Sequence, residues 1–288
     1  MKLIDWKNKH TSIDLNGQKL SYIDTLEGEK VLFIIHGFAT SSFDYHKIID
    51  QLKDKYRIII PDLIGFGLSS KPKNYYYSII DQASILSSLL VKLKIYEVSV
   101  MSHGYGSCIL CEMMSLNLSN NLVLKIKNSI LLNLSLTLEL SDDNNELESH
   151  GKMISQGILK ISISFEMFKK YIRESFYRKE SISDEDLKTS WELINLNDGL
   201  KNLQFSDYFI AECGKFGNKW LKNIHENDSK VYVIWGKNDQ YGNIQTPLKI
   251  QSFMNLDDKN IFLMDECSYF PMLEKPTEFA EIIKNIDL

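Results

Sequence analysis

A short run in the first half of the chain has the pattern of a strand, a tight turn and a helix. Residues 97–107 read Glu-Val-Ser-Val-Met-Ser-His-Gly-Tyr-Gly-Ser. Hydrolytic enzymes present a nucleophile at the centre of such a turn, in the pattern small-x-nucleophile-x-Gly. Here that position is held by Gly104, which has no side chain to attack a substrate. Glycine does suit the turn, because the positive φ at its centre strains any residue that carries a Cβ.

A second stretch with chemical potential is His36-Gly37-Phe38-Ala39, which directly follows a predicted buried strand. Small residues at such a place let backbone N–H groups point at a developing oxyanion. The N–H of the residue after the nucleophile, here Tyr105, completes this arrangement. The alternative is an ordinary strand-to-loop turn, and the residues alone leave both interpretations open.

These stretches need a scaffold that brings strand ends together, and the hydrophobic pattern predicts one. Apolar runs of buried-strand length alternate with segments of helical spacing, which indicates a mostly parallel sheet covered by helices on both faces. A hairpin is expected near the start of the chain, with its turn at Asn16-Gly17. The predicted buried strands are Val31–Ile35, Arg57–Ile60, Val98–Met101, Ile130–Asn133, Val231–Trp235 and Ile261–Met264.

The alternation of strands and helices breaks between residues 138 and 229. This segment is polar, rich in aromatic residues and helical in its spacing, and no core strand is predicted in it. A helical insertion between two halves of one α/β sheet indicates a lid. We therefore expect a core of residues 1–137 and 230–288 and a helical cap of residues 138–229.

Several motifs, in their order and spacing, resemble the α/β-hydrolase superfamily. They are His36-Gly37-Phe38, Thr40-Ser41-Ser42, the Asp62–Gly67 loop with Lys71-Pro72, Tyr77-Ser78-Ile79 and Gln82-Ala83-Ser84-Ile85. Three further motifs resemble one branch of this superfamily, which contains mesoderm-specific transcript proteins, epoxide hydrolases and haloalkane dehalogenases. They are Ser102-His103-x-Tyr105-Gly106, Asn197-Asp198-Gly199 and Pro271-x-Leu273-Glu274-x-Pro276. The resemblance implies the α/β-hydrolase fold, a mostly parallel twisted sheet of about eight strands flanked by helices, with an inserted helical lid.

The resemblance also implies a covalent reaction, in which an aspartate attacks an epoxide or a carbon–halogen bond and a histidine then activates water. Carried over by position, the acid that orients this histidine is Asp239, whereas the nucleophile position holds Gly104 and the histidine position holds Tyr269. None of the six histidines follows Asp239, although the general base of this fold comes from the loop after the last strand. Tyrosine cannot take this role at neutral pH, because its pKa near 10 makes it a proton donor.

When the family's positions are carried over in the same way, the expected oxyanion or ligand-binding positions are His36, Gly37, Phe38 and Tyr105. Ala39 departs from the family, which often has a proline after a cis peptide bond there. A cis bond before alanine costs about 3–4 kcal/mol, so we expect a trans turn of different shape. Asp239 has two interpretations, a remaining catalytic acid or a loop cap and hydrogen-bond partner of Tyr269.

Three functions remain open at this stage. One is a hydrolase homologue without hydrolase activity that binds a small apolar ligand between sheet and cap. The second is an active hydrolase or lyase of the epoxide hydrolase or haloalkane dehalogenase type that uses unorthodox residues. The third is an interaction scaffold, which a side chain packed into the space vacated by the nucleophile would favour. The residues expected to line a ligand site are Phe38, Tyr105, Phe165, Phe168 and Tyr208.

Composition argues against several other classes of function. The 33 basic and 38 acidic residues are well mixed, with a net charge of −5, so no basic stripe suggests nucleic acid. The first ten residues contain no apolar signal-peptide region, and no run approaches the ~20 apolar residues of a membrane span, so we expect a cytoplasmic protein. The four cysteines suit small core positions better than a redox pair or zinc site, and we expect no cofactor or metal. The sequence identifies no protein partner.

Overall fold

A computed structural model describes residues 1–73, 75–119, 124–134, 164–202, 206–286 and 288. Its strands are β1 (Thr11–Leu15), β2 (Gln18–Asp24), β3 (Lys30–Ile35), β4 (Tyr56–Pro61), β5 (Glu97–His103), β6 (Lys125–Leu132), β7 (Lys230–Gly236) and β8 (Ile261–Met264). Within the described residues these strands form a single sheet in the order β1-β2-β4-β3-β5-β6-β7-β8. Strand β2 runs antiparallel to β1 and β4, and all other neighbours are parallel. The predicted fold class is confirmed.

Apolar side chains on both faces explain why the central strands lie inside the molecule. Leu32 to Ile35 of β3 and Ile58 to Ile60 of β4 are fully buried, as expected for parallel strands with helices on either side. The first two strands form the predicted hairpin. Its turn residues Asn16 and Gly17 have φ values of 56° and 79°, which the type I′ turn requires and which suits an Asn-Gly pair.

The described helices cover the two faces of this sheet and form a group between β6 and β7. They are α1 (Leu3–Lys7), α2 (Ile49–Leu52), α3 (Ile79–Lys92), α4 (Tyr105–Leu118), α5 (Phe165–Glu174), α6 (Asp184–Asn195), α7 (Gly199–Asn202), α8 (Ser206–Glu226), α9 (Gln245–Met254), α10 (Pro271–Glu274) and α11 (Pro276–Asn285). Helices α5 to α8 belong to the segment predicted as the cap, whose expected start at residue 138 lies outside the described residues. None of the described helices has the length and apolar character needed to cross a membrane.

Helix α8 is tied to the core by buried polar contacts. The carboxylate of Glu212 accepts hydrogen bonds from the Ser78 hydroxyl at 2.6 Å and from the backbone N–H of Ile79 at 2.7 Å. Ile79 is the first residue of α3, so Glu212 satisfies an N–H group that the helix itself leaves open. Further along α8, the indole of Trp220 donates to the carboxylate of Glu112 on α4 at 2.6 Å.

Replacing Glu212 by alanine is expected to lower the free energy of unfolding by about 2–3 kcal/mol, because two hydrogen bonds to a buried carboxylate are lost. Urea unfolding followed by circular dichroism measures this change. Glu226→Ala is a matched control, since Glu226 lies at the exposed end of the same helix and is expected to change stability by no more than about 0.5 kcal/mol. Equal effects of the two variants would contradict a clamping role of Glu212.

Candidate functional site

The carboxyl ends of β3, β5, β7 and β8 meet at one edge of the sheet, which is where ligands bind in open α/β sheets. The loop after β3 contains His36 to Ala39, and β5 leads directly into Gly104. The loop after β7 carries Asp239, and the loop after β8 carries Tyr269. The fold therefore brings the residues selected from the sequence to the same edge.

The turn between β5 and α4 has the strained geometry expected for a nucleophile-bearing turn. Gly104 has φ 48° and ψ −115° and immediately precedes α4. A Cβ atom added to Gly104 would overlap the hydroxyl oxygen of Tyr269 and lie 3.2 Å from its Cζ. The Tyr269 hydroxyl thus fills the space that the side chain of a nucleophile would need. A side chain packed into this space is the observation that the sequence analysis named in favour of an interaction scaffold.

Tyr269 is held in place by contacts on several sides. Its ring centroid lies 4.4 Å from that of His103 and 5.1 Å from that of Tyr241, which meets it edge-on. Its backbone oxygen accepts a hydrogen bond from Nε2 of His103 at 2.8 Å. Burial raises the pKa of Tyr269 well above its usual value, and the nearby Asp239 carboxylate raises it further. At neutral pH the hydroxyl is therefore a proton donor and not a base.

The carboxylate of Asp239 is engaged by its own loop and by β6. Oδ2 accepts a hydrogen bond from the side-chain amide of Asn133 at 2.7 Å, and Oδ1 accepts one from the backbone N–H of Tyr241 at 2.9 Å. The second bond, two residues ahead in the chain, is an Asx turn that fixes the loop. The hydroxyls of Tyr241 and Ser175, the residue after α5, lie 2.5 Å apart. The loop that carries Asp239 is thereby connected to the segment predicted as the cap.

The loop after β3 is braced by His36, whose ring is fully buried. Its Nε2 accepts a hydrogen bond from the backbone N–H of Leu63 at 3.0 Å, so Nδ1 carries the proton and donates to the Gly37 oxygen at 2.7 Å. Burial lowers the pKa of His36, which is consistent with this neutral form. Both ring nitrogens form hydrogen bonds with backbone groups, so His36 stabilises the loop. The backbone N–H groups around Phe38 remain the candidate hydrogen-bond donors to a ligand.

His103 packs close to the same loop. A Cβ on Gly37 would lie 2.7 Å from Nδ1 of His103, so only glycine allows this approach. Burial lowers the pKa of His103 to about 3, and the imidazole is neutral at physiological pH. Its Nδ1 has no hydrogen-bond partner among the described residues. Ala39, two residues after Gly37, has φ 66°, and the described peptide bonds are trans, as the sequence predicted for this position.

Aromatic rings cover the loop side of the site. Phe38 lies 5.2 Å from Phe209 of α8, 5.8 Å from Phe66 and 6.0 Å from Tyr105, measured between ring centroids. Phe38 and Phe209 are half-exposed, whereas Tyr105 is buried. The sequence missed Phe66 and Phe209, because their approach depends on how the loop after β4 and helix α8 pack.

Two of the proposed cap aromatics pack elsewhere. The ring centroids of Phe165 and Phe168 lie 6.1 Å and 5.3 Å from that of Trp191, within the segment predicted as the cap. The side chain of Tyr208, the third proposed aromatic of the cap, lies outside the described residues.

Three other groups near the turn are unsuited to replace the nucleophile. Ser102 and Ser107 are fully buried and share a hydrogen bond of 3.1 Å between their hydroxyls. Cys267 is also fully buried, and burial raises the pKa of its thiol, which disfavours the reactive thiolate. In the described part of the chain, no three His, Cys, Asp or Glu side chains are grouped as a metal site requires.

A buried carboxyl group that the sequence did not single out lies in the same region. Asp44 is 3% exposed and accepts a hydrogen bond from the Thr40 hydroxyl at 2.6 Å. Burial raises the pKa of Asp44 to about 7, an effect that the Thr40 bond opposes and the Asp62 carboxylate reinforces. Asp44 is also one of the charges that raise the pKa of Tyr269.

Known proteins place this arrangement in context. A family model described as the alpha/beta hydrolase fold matches residues 30–160. The mesoderm-specific transcript protein of Mus musculus is 26% identical over 96% of this chain and 85% of its own length. Haloalkane dehalogenase 2 of Mycobacterium bovis is 32% identical over 32% of each chain.

Solved structures agree with this fold. A putative lipase of Acinetobacter baumannii superimposes with a TM-score of 0.82 over 98% of this chain and 93% of its own, at 18% identity. The epoxide hydrolase CorEH superimposes with a TM-score of 0.69 over 95% and 96% of the two chains, at 16% identity. With the sheet order, the strand-to-helix turn at Gly104 and these similarities, the chain has the α/β-hydrolase fold and is similar to proteins of that superfamily, among them the mesoderm-specific transcript proteins.

Proposed function

We propose that this protein does not hydrolyse substrates through a nucleophile, acid and histidine, and that it binds a small ligand at the edge of the sheet instead. The observation that carries the loss of hydrolysis is the Tyr269 hydroxyl, which lies in the space of the nucleophile's Cβ, above Gly104. Losing a nucleophile or its base lowers turnover by about a million-fold in a hydrolase triad. Both positions are substituted here, and Ser102, Ser107 and Cys267 are buried.

The groups that remain at the site suit a ligand with an apolar body and a carbonyl or carboxylate. Helix α4 begins at Tyr105 without a side-chain cap, and the N–H of Ser107 donates to the Gly104 oxygen. The N–H groups of Tyr105 and Gly106 have no partner within the helix and can donate to a ligand's acceptor group. The protonated Tyr269 hydroxyl supplies a further donor beside them. The half-exposed rings of Phe38 and Phe209 offer an apolar face. This combination holds an acceptor group without attacking it.

Turnover is tested with the purified wild-type protein and with Asp239→Asn on esters, epoxides and haloalkanes. We expect both proteins to match the rate in buffer, because no nucleophile is present for Asp239 to assist. Hydrolysis above that background by the wild type, abolished in Asp239→Asn, would show that a relocated nucleophile works with this acid. That outcome would support the alternative of an active hydrolase or lyase with unorthodox residues.

Binding is tested by calorimetry with benzoate and acetophenone, which present a carboxylate and a ketone on an aromatic ring. Tyr269→Phe is expected to weaken binding about tenfold, since one hydrogen bond contributes about 1–1.5 kcal/mol. Tyr177→Phe is the matched control, because Tyr177 is 45% exposed in the cap and should leave the affinity unchanged. Equal affinities of the wild type and Tyr269→Phe would contradict the role given to this hydroxyl.

An interaction scaffold is the second candidate, and the filled space above Gly104 favours it. In that case the aromatic contacts around Phe38 serve packing alone. A folded protein that neither turns over the panel nor binds benzoate or acetophenone, and that carries no small molecule in native mass spectrometry, would support the scaffold over the ligand-binding function.

A further inference from the structure

Helices α4 and α8 bring the side chains of Cys108 and Cys213 together at the junction of core and cap, with Cys111 about one turn further along α4. Cys108 and Cys111 lie on α4, and Cys213 lies on α8, 105 residues beyond Cys108. Cys108 and Cys111 are fully buried, and Cys213 is 2% exposed. The sulfur atoms of Cys108 and Cys213 are 3.5 Å apart. The sequence predicted apolar packing for these residues, because nothing in it shows that the two helices face each other.

The relative position of the two helices is fixed by several contacts along their length. Beyond the cysteine pair, Trp220 donates to Glu112, and the side-chain amide of Asn223 donates to the hydroxyl of Ser115. The partners advance together along both helices, so α4 and α8 run side by side in the same direction. A disulfide has an S–S length near 2.05 Å, so the two sulfurs need to approach by only about 1.5 Å.

We propose that Cys108 and Cys213 form a disulfide when the protein meets hydrogen peroxide, and that this bond fastens the cap helix α8 to α4 behind the Gly104 turn. This inference is independent of the proposed function. One thiol loses its proton and the resulting thiolate attacks a peroxide oxygen. The O–O bond breaks, a sulfenic acid forms, and the departing hydroxide takes up the released proton as water. The second thiol then attacks the sulfenic sulfur, the S–O bond breaks, and a second water leaves. Two thiols and one peroxide thus give one disulfide and two waters.

The bond would act on the part of the cap that touches the candidate site. Helix α8 carries Phe209, whose ring lies 5.2 Å from Phe38, and Glu212, which caps α3. A covalent link at Cys213 lies between these contacts and Trp220. It would therefore suppress any separation of α8 from the core and hold Phe209 against the loop after β3.

The reaction is expected to be slow and to accelerate with pH. The contact with Cys213 and burial raise the pKa of Cys108 well above its ordinary value. Burial does the same for Cys111. Because the thiolate is the nucleophile, each higher pH unit below that pKa increases the reactive fraction about tenfold.

The test exposes the reduced, full-length protein to hydrogen peroxide at pH 7 and pH 9. Non-reducing peptide mapping by mass spectrometry then identifies any link. We expect a loss of 2 Da with Cys108 joined to Cys213, formed faster at pH 9, and at least tenfold slower hydrogen exchange of α8 amides. Cys213→Ser is expected to lose the link, whereas Cys267→Ser, outside this cluster, should retain it.

Two results would overturn the proposal. One is a folded wild-type protein whose four thiols stay reduced, or carry only single-cysteine oxidation, at both pH values. The other is a link that joins Cys213 to Cys111 in the wild type, or that persists in Cys108→Ser with the wild-type yield. Either result would show that the geometry of the Cys108–Cys213 pair does not direct the oxidation.

Discussion

Replacing Gly104 by serine is expected to lower the free energy of unfolding by about 4 kcal/mol. A residue with a Cβ at φ 48° and ψ −115° is strained by about 1–3 kcal/mol. The new side chain would also have to displace the Tyr269 hydroxyl, which already occupies the position of the Cβ, and overpacking of this kind costs about 1–3 kcal/mol. Urea unfolding of the wild type and the variant measures the sum.

Gly214→Ser is the matched control for this substitution. Gly214 lies in the exposed part of α8, and a Cβ there meets nothing within 4 Å. The same chemical change should therefore be neutral or stabilise the helix by about 0.5 kcal/mol. The double variant Gly104→Ser/Tyr269→His should recover about 1–3 kcal/mol relative to additivity, because the shorter ring vacates the space. Strict additivity of the two substitutions would contradict the steric pairing of positions 104 and 269.

Replacing Asp44 by asparagine is expected to change how stability depends on pH. Burial raises the pKa of Asp44 from 3.8 in the unfolded chain to about 7 in the folded protein. The folded state therefore holds a proton that the unfolded state releases, and the contribution of Asp44 to stability is fully present below pH 4. It is lost as the pH rises to about 7, by about 4 kcal/mol at 1.36 kcal/mol per pKa unit.

The measurement is the unfolding free energy of the wild type and Asp44→Asn at several values between pH 4 and pH 8. Across this range the free energy of unfolding of the variant should rise by about 4 kcal/mol relative to that of the wild type. The reason is that the amide that replaces the carboxyl group stays neutral and still accepts the hydrogen bond from the Thr40 hydroxyl. Asp50→Asn serves as control, since Asp50 is exposed on α2. Parallel pH curves for the wild type and Asp44→Asn would rule out a buried, partly protonated carboxyl group at this position.

The sequence predicted the sheet well, because buried parallel strands are almost continuous apolar runs. The hairpin at Asn16-Gly17 was also predicted correctly, since few residues other than this pair favour its turn. The amphipathic start of β6 was missed. The strand begins at Lys125, five residues before its predicted start, and its first residues alternate between exposed and buried.

The segment Tyr45–Leu52 has apolar residues at helical spacing in the sequence, but only part of it is an α-helix in the structure. It contains a 3-10 turn that ends at Tyr45 and a single helical turn, α2, from Ile49. At the start of the 3-10 turn the backbone N–H of Ser42 donates to the Asp62 carboxylate at 2.8 Å, and a contact between residues so far apart in the chain cannot be predicted from local periodicity.

At the candidate site, position along the chain was sufficient to find Gly104, Asp239 and Tyr269, because each follows a strand that ends at the same edge. What the sequence could not provide was the direction of the side chains. That Tyr269 would reach over Gly104 depends on the packing of its ring against His103 and Tyr241. The role of Asn133, which binds Asp239, likewise depends on β6 lying beside β7.

The clamp made by Glu212 has a consequence for the order in which the chain folds during synthesis. Helix α3 leaves the ribosome long before the residue that caps it, which follows Ile79 by 133 positions. Until α8 arrives, the first N–H group of α3 faces water, and Glu112 on α4 lacks its indole partner. The first half of the sheet is thus synthesised with two helices incomplete. We therefore expect α8 to pack on α3 and α4 before β7 and β8 are synthesised, and we expect removal of α8 to leave the start of α3 and the carboxylate of Glu112 without these partners.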